Sequence, residues 1–223
     1  MDQFDRHRQQ VVAACRALVE RGYLTATGGN VSLRVGGQNA FAITPSNYDY
    51  SRMTADDVCI LDLDLDLLEG KQQPSVESSM HAAVYQARPD VEAIVHTHQV
   101  YASALALIDA PIPALFDEQV RFLGRSVEII PYAPSGTGFL RKKIVKQVKN
   151  HHNAYIIQNH GVLCFGHDVE RAMHNVEILE KCSLAYLLAL CTEREVSTIP
   201  LAVREIAFAK LRQDQKRHAR REA

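Results

Sequence analysis

The chain has 223 residues, 47% of them apolar and 23% charged, close to the average of folded soluble domains, which excludes a fibrous or disordered class. Its 25 Lys and Arg nearly balance 26 Asp and Glu, so no net field favours nucleic acid or a membrane surface. Apolar runs such as Ala185–Leu190 fall far short of the ~20 residues of a membrane helix. The charged start, MDQFDRHRQQ, lacks an apolar leader core and implies a cytoplasmic location. The five cysteines, Cys15, Cys59, Cys164, Cys182 and Cys191, are odd in number and widely spaced. They read as buried reduced thiols rather than a disulfide frame or a thiolate metal site.

Residues 5–21 carry Val11, Val12, Cys15, Leu18 and Val19 at helical spacing, and Gly22 ends that helix. Strands follow at 30–35, 41–44 and 57–62. The LDLDLDLLEG stretch (61–70) lacks the Gly and distal Glu of an EF-hand, and reads as an edge strand and turn with solvated carboxylates. A helix over 75–87 ends before Arg88-Pro89. Residues 92–98 form a strand and 100–108 a helix, and a Pro-rich connection (110–113) leads to a strand at 127–130. The segment 132–138 is a loop, 139–149 a basic helix, and 154–158 and 162–165 are strands flanking Asn159-His160-Gly161. Asp168 caps a long apolar helix. The tail from Pro200 is helix-prone and basic, a solvated helix rather than a nucleic-acid arm. No linker composition divides the chain, so one α/β domain over 1–223 is expected, with a core at about 5–190.

The ten histidines carry the sharpest local signal. His96 and His98 are two apart on a strand, so they share a face with Cα atoms ~6.6 Å apart. Chance supplies roughly 0.45 such pairs in this composition, so the pair alone is weak. Its position at the end of a buried-type run leaves metal ligands and satisfied structural histidines as level readings. His160, at another strand end beside Gly161, is the natural third ligand, and three imidazoles leave a zinc ion one open position. The remaining histidines read as surface or capping groups, except that His81 lies one turn after Glu77. Glu77 itself is either an acid–base group or a carboxylate favoured at a helix N-terminus by the macrodipole. Gly28-Gly29-Asn30 and Thr44-Pro45-Ser46 are turns that also suit an anion through backbone N–H groups.

Taken together, GGNVSLR (28–34), ITPS (43–46), PSVE (74–77), VHTH (95–98), YAPSGT (132–137) and QNHG (158–161) resemble the class II aldolase/adducin family. Their order and spacing agree from about residue 5 to residue 190. The resemblance implies a three-layer α/β/α sandwich with a mixed, mostly antiparallel sheet, and a homotetramer with sites between subunits. It matches His96, His98 and His160 to zinc ligands and Glu77 to the catalytic glutamate. It matches Asn30 and Ser75, with Ser46 of the TPS turn, to substrate-binding positions. The implied activity is lyase cleavage of a small, sugar-derived hydroxy-carbonyl through a metal-stabilised enediolate. Decarboxylation, 4-epimerisation and a non-catalytic adducin-like role are the alternatives. The chain departs from the pattern at Asn47, where Gly is usual, at Val76, where Ser is usual, and at Asp117, where a tyrosine is expected. Asp117 or Glu118 is then either a second acid–base group from a neighbouring subunit or a solvated loop carboxylate.

Overall fold

Short runs of β-branched and apolar residues build eight strands in the computed structural model, which describes residues 3–25 and 28–220. They are Asn30–Val35 (β1), Ala40–Ile43 (β2), Cys59–Asp62 (β3), Leu67–Glu69 (β4), Ala93–Thr97 (β5), Glu128–Ile130 (β6), Ala154–Ile157 (β7) and Gly161–Gly166 (β8). All join one sheet in the order β4-β3-β2-β1-β5-β8-β7-β6. Only β6 and β7 run parallel; every other neighbouring pair is antiparallel. The expected mixed, mostly antiparallel sheet is present.

Among the described residues seven α-helices accompany it: Asp5–Glu20 (α1), Ser78–Ala87 (α2), Val100–Leu107 (α3), Asp117–Phe122 (α4), Gly138–Gln147 (α5), Val169–Leu190 (α6) and Leu201–Ala219 (α7). Successive strand residues point to opposite faces, and the core divides accordingly. Val31, Leu33 and Val95 pack with Leu18, Leu105 and Leu179 of α1, α3 and α6, whereas Phe41, Ile94 and Leu163 pack with Met80, Val84 and Ile144 of α2 and α5. Helices on both faces make the three layers. No helix among the described residues is long and apolar enough to cross a membrane.

Several expectations need local correction. Asp57 closes a 3₁₀ turn instead of opening a strand, because its carboxylate accepts the Thr54 N–H and hydroxyl. The acidic stretch keeps the expected turn and edge strand, with Asp62 accepting the N–H groups of Asp64 and Asp66 and β4 outermost in the sheet. Helix α4 was expected as loop. It is anchored by buried Gln119, whose amide donates to the Pro113 carbonyl and accepts from the Leu115 N–H. Its first turn holds Asp117 and Glu118, both exposed. Four cysteines are buried but Cys191 is exposed. His152 is buried rather than a surface or capping group, and His81 is buried one turn after Glu77.

Arg88 ends α2 and is wholly buried. Its guanidinium meets Asp90 through two bonds of 2.8 and 2.7 Å, and also donates to the carbonyls of Val148 and His152 and to Asn153 Oδ1. One residue thus ties α2 to the start of β7. Replacing it strands the Asp90 carboxylate and three acceptors. Arg88→Met should lower the unfolding free energy by ~3–5 kcal/mol, read by chemical denaturation; a loss under ~1 kcal/mol would show that the pair is not what joins these elements.

Candidate metal centre and active site

The candidate groups converge where β5 ends and β8 begins. His96 lies in β5, His98 directly follows it, and His160 precedes β8. One ring nitrogen from each lies within 4.8 Å of the others. Glycines make this approach possible. A Cβ on Gly161 would come within 2.6 Å of His98 Cδ2 and of the Thr97 carbonyl, and one on Gly29, at φ +78°, within 2.5 Å of the His96 carbonyl.

Backbone contacts set the chemistry of the donors. His96 Nδ1 lies 2.8 Å from the Val162 carbonyl, which can only accept, so Nδ1 carries the hydrogen and Nε2 keeps its lone pair. That lone pair faces His98 Nε2 at 3.2 Å and Glu77 Oε2 at 3.2 Å. His160 Nε2 faces the other carboxylate oxygen, Oε1, at 3.1 Å, while its buried Nδ1 has no partner. Burial lowers the basicity of His96 to about 4, against the pull of Glu77, and of His98 below its usual value. Imidazole nitrogens that face one another and a carboxylate at these distances suit a divalent cation. Three nitrogens with a nearby oxygen are a zinc-type set.

Glu77 caps the N-terminus of α2 and is 6% exposed. Asn30 Nδ2 donates to its Oε2 at 2.7 Å and the Ser135 hydroxyl to its Oε1 at 2.7 Å. Burial pushes its pKa up, but His96 and the bonds from His160 and Ser135 outweigh that and hold the carboxyl well below the usual range. It is an ionised carboxylate beside the imidazoles.

A cavity of about 170 Å³ opens over these groups, lined by Gly28, Ser46, Asn47, Ser75, Glu77 and Ser135 among others. Ser46, Ser75 and Asn30 therefore join Glu77, His98 and His160 at one cavity. Their donors are partly engaged. The Ser46 N–H bonds the Gln73 carbonyl and Asn30 holds Glu77, whereas the Ser75 hydroxyl accepts from the Glu77 N–H and keeps its own hydrogen to donate. Asn47 sits at φ 50°, the left-handed conformation that Asn tolerates where Gly is the usual choice. Val76 is 70% exposed. Asp117 does not line the cavity; Glu118 is occupied with Lys181 and His174.

Reading the sequence missed Ser135, although its loop belongs to the resembling segments, and Tyr50, whose buried hydroxyl donates to the Gly29 carbonyl. Neither has a spacing signal, since each reaches the site from a distant loop.

A family model described as the Class II Aldolase and Adducin N-terminal domain matches residues 9–187. A 5-deoxy-D-ribulose 1-phosphate aldolase of Bacillus thuringiensis serovar kurstaki is 32% identical over 181 residues, covering 81% of this chain and 84% of that one. An L-fuculose phosphate aldolase of Escherichia coli O6:H1 is 34% identical over 182 residues, covering 80% and 83%. A solved L-fuculose 1-phosphate aldolase superposes with a TM-score of 0.85 at 30% identity, covering 93% of this chain and 96% of its own.

The geometry makes the three histidines the candidate metal ligands. His98→Ala should lose the divalent ion, measured by elemental analysis, while its circular dichroism stays native. Gly161→Ala should weaken metal retention by crowding the same ring. Full occupancy in His98→Ala would contradict the assignment.

Proposed function

Since the chain belongs to the class II aldolase and adducin family, whose aldolases are metal-dependent lyases, we propose that it cleaves a carbon–carbon bond of a small, sugar-derived hydroxy-carbonyl compound. The observation that carries this reading is Glu77, buried and ionised against three convergent imidazoles. His96, His98 and His160 would hold a zinc ion. When bound, that ion supplies Lewis-acid stabilisation for the negative charge of an enediolate.

This chain's own residues account for the rest. Glu77 takes the proton from a substrate hydroxyl as the bond breaks and returns one at carbon. Asn30 and Ser135 hold both carboxylate oxygens, so the base is aimed rather than mobile. The wall of Gly28, Ser46, Asn47 and Ser75 receives the substrate's far end. The retention of all three imidazoles and of the base supports an enzyme over a binding module of adducin type. Assembly as a homotetramer is part of the proposal, supported by exposed apolar side chains such as Val100, Leu107, Ile108 and Phe139. A second acid–base role for Asp117 would then come from an adjoining subunit.

Both named relatives act on phosphorylated sugars, and this cavity offers a phosphate fewer free donors. Val76 supplies no side-chain donor and the Ser46 N–H is engaged. Each charge-assisted bond of this kind is worth ~1.5–3 kcal/mol, so the loss of one costs roughly 10–100-fold in phosphate affinity. We expect a modest ratio of kcat/KM between matched substrates with and without phosphate. A preference of several orders of magnitude for the phosphorylated one would overturn this part.

Glu77→Gln keeps the shape of the side chain and removes the proton acceptor. It should retain metal and lose at least ~10²-fold in turnover, measured by aldehyde release from a panel of ketoses and ketose phosphates. Near-native turnover would move the base elsewhere.

A further inference from the structure

The face of β1 turned toward α2 carries Asn30, Ser32 and Arg34, spaced ~6.6 Å apart along the strand. Helix α2 and its cap carry Glu77, His81 and Tyr85 at four-residue intervals, ~6 Å apart. The two repeats nearly coincide, so six polar residues interleave as a seam inside an otherwise apolar layer. Asn30 Nδ2 lies 2.7 Å from Glu77 Oε2 and Asn30 Oδ1 2.5 Å from His81 Nε2. Ser32 Oγ lies 2.6 Å from His81 Nδ1 and 2.7 Å from the Tyr85 hydroxyl. Arg34 closes the seam by donating to the Tyr85 carbonyl at 2.6 Å and stacking over its ring at 4.7 Å. Asn30, Ser32, His81 and Tyr85 are all buried.

The donor direction of every bond follows from one end. The ionised Glu77 carboxylate only accepts, so Asn30 must turn its NH₂ toward it and its carbonyl oxygen toward His81. His81 Nε2 then carries a hydrogen. Burial, together with the nearby His96, lowers the His81 pKa to about 3, so the ring is neutral and Nδ1 accepts from the Ser32 hydroxyl. Ser32 in turn accepts from the Tyr85 hydroxyl. Were the Asn30 amide to flip, its oxygen would meet the carboxylate and its NH₂ would meet the His81 N–H. Both ends of the amide would be mismatched.

We infer that His81 is a positioning residue for this reaction: a buried Nε2–H ring seated against Ser32, it fixes the Asn30 amide in the one orientation that holds Glu77. This rests on Glu77 being the base proposed above. His81 touches neither substrate nor metal ligands in this arrangement. It acts through Asn30.

His81→Phe preserves ring volume and removes the donor; His81→Gln restores an N–H at a similar reach. The account predicts that His81→Phe lowers kcat by about 10–100-fold, the worth of the Asn30 bond to the charged Glu77 that the His81 donor keeps in place, with KM and metal content little changed. His81→Gln should recover most of that loss. In a Glu77→Gln background the same His81→Phe change should cost little further, because the group it serves is gone. On the unsubstituted protein, ¹⁵N-histidine NMR should show His81 as the Nε2–H tautomer. Equal losses from His81→Phe and His81→Gln, an undiminished loss in the Glu77→Gln background, or an Nδ1–H tautomer would overturn the inference. Should His81→Phe not fold, the tautomer and His81→Gln still decide it. Near-native turnover in Glu77→Gln alone would fault the assignment of the base instead, and the tautomer would then decide the His81 arrangement by itself.

Discussion

An ionised carboxylate held out of water among three imidazoles is the constraint on which the rest of the structure depends. Taking such a charge from water costs several kcal/mol unless donors or a cation replace its hydration. Asn30 and Ser135 supply two bonds. His96 turns only a lone pair toward the carboxylate, so a cation or proton is needed between the two. Four groups that repel one another in isolation become mutually supportive around a divalent ion. That is the physical case for a metal here, and it stands on donor direction rather than on proximity.

The fold delivers this arrangement through register. Antiparallel pairing sets Asn30 opposite His96, and β8 pairs with β5 so that His160 and Gly161 arrive beside the same imidazoles. Helix α2 points its N-terminus at that corner, where its dipole favours the charge on Glu77. The helix lies over β1 because its apolar residues, Met80 and Val84, enter the core shared with Ile94 and Phe41. Apolar packing therefore fixes the helix, and the polar seam within it fixes the base. The cost is a strip of the core given to hydrogen-bonded groups, each of which loses its value if its partner is removed.

Much of this was legible in the sequence. Helical and strand periods placed nearly every element within a few residues, because their apolar residues alternate cleanly. His96 and His98 were readable because strand period puts them on one face, and His160 because it sits between two apolar strands beside a glycine. Helix α4 was not readable. Six residues are too few for a periodic signal, and the helix is held by the Gln119 side chain reaching back to Pro113 and Leu115. Ser135 escaped because a loop residue 58 positions from its partner leaves no local pattern. His81 was legible in principle. Polar residues four apart in a helix (Glu77, His81, Tyr85) and two apart in a strand (Asn30, Ser32, Arg34) announce a matched seam, but only once the helix and strand are known to face each other. Asp117 illustrates the converse: its position in the pattern suggested chemistry, and within one chain it stands outside the cavity.

The most direct test of the central claim is an anomalous-scattering crystal structure of the zinc-loaded protein, with data recorded on both sides of the zinc absorption edge. The account predicts one zinc peak per chain at ~2.0–2.1 Å from a nitrogen of each of His96, His98 and His160, with the Asn30 amide and the Ser135 hydroxyl on the Glu77 side of the cavity. An anomalous peak elsewhere, or none at these imidazoles in metal-replete protein, would contradict it.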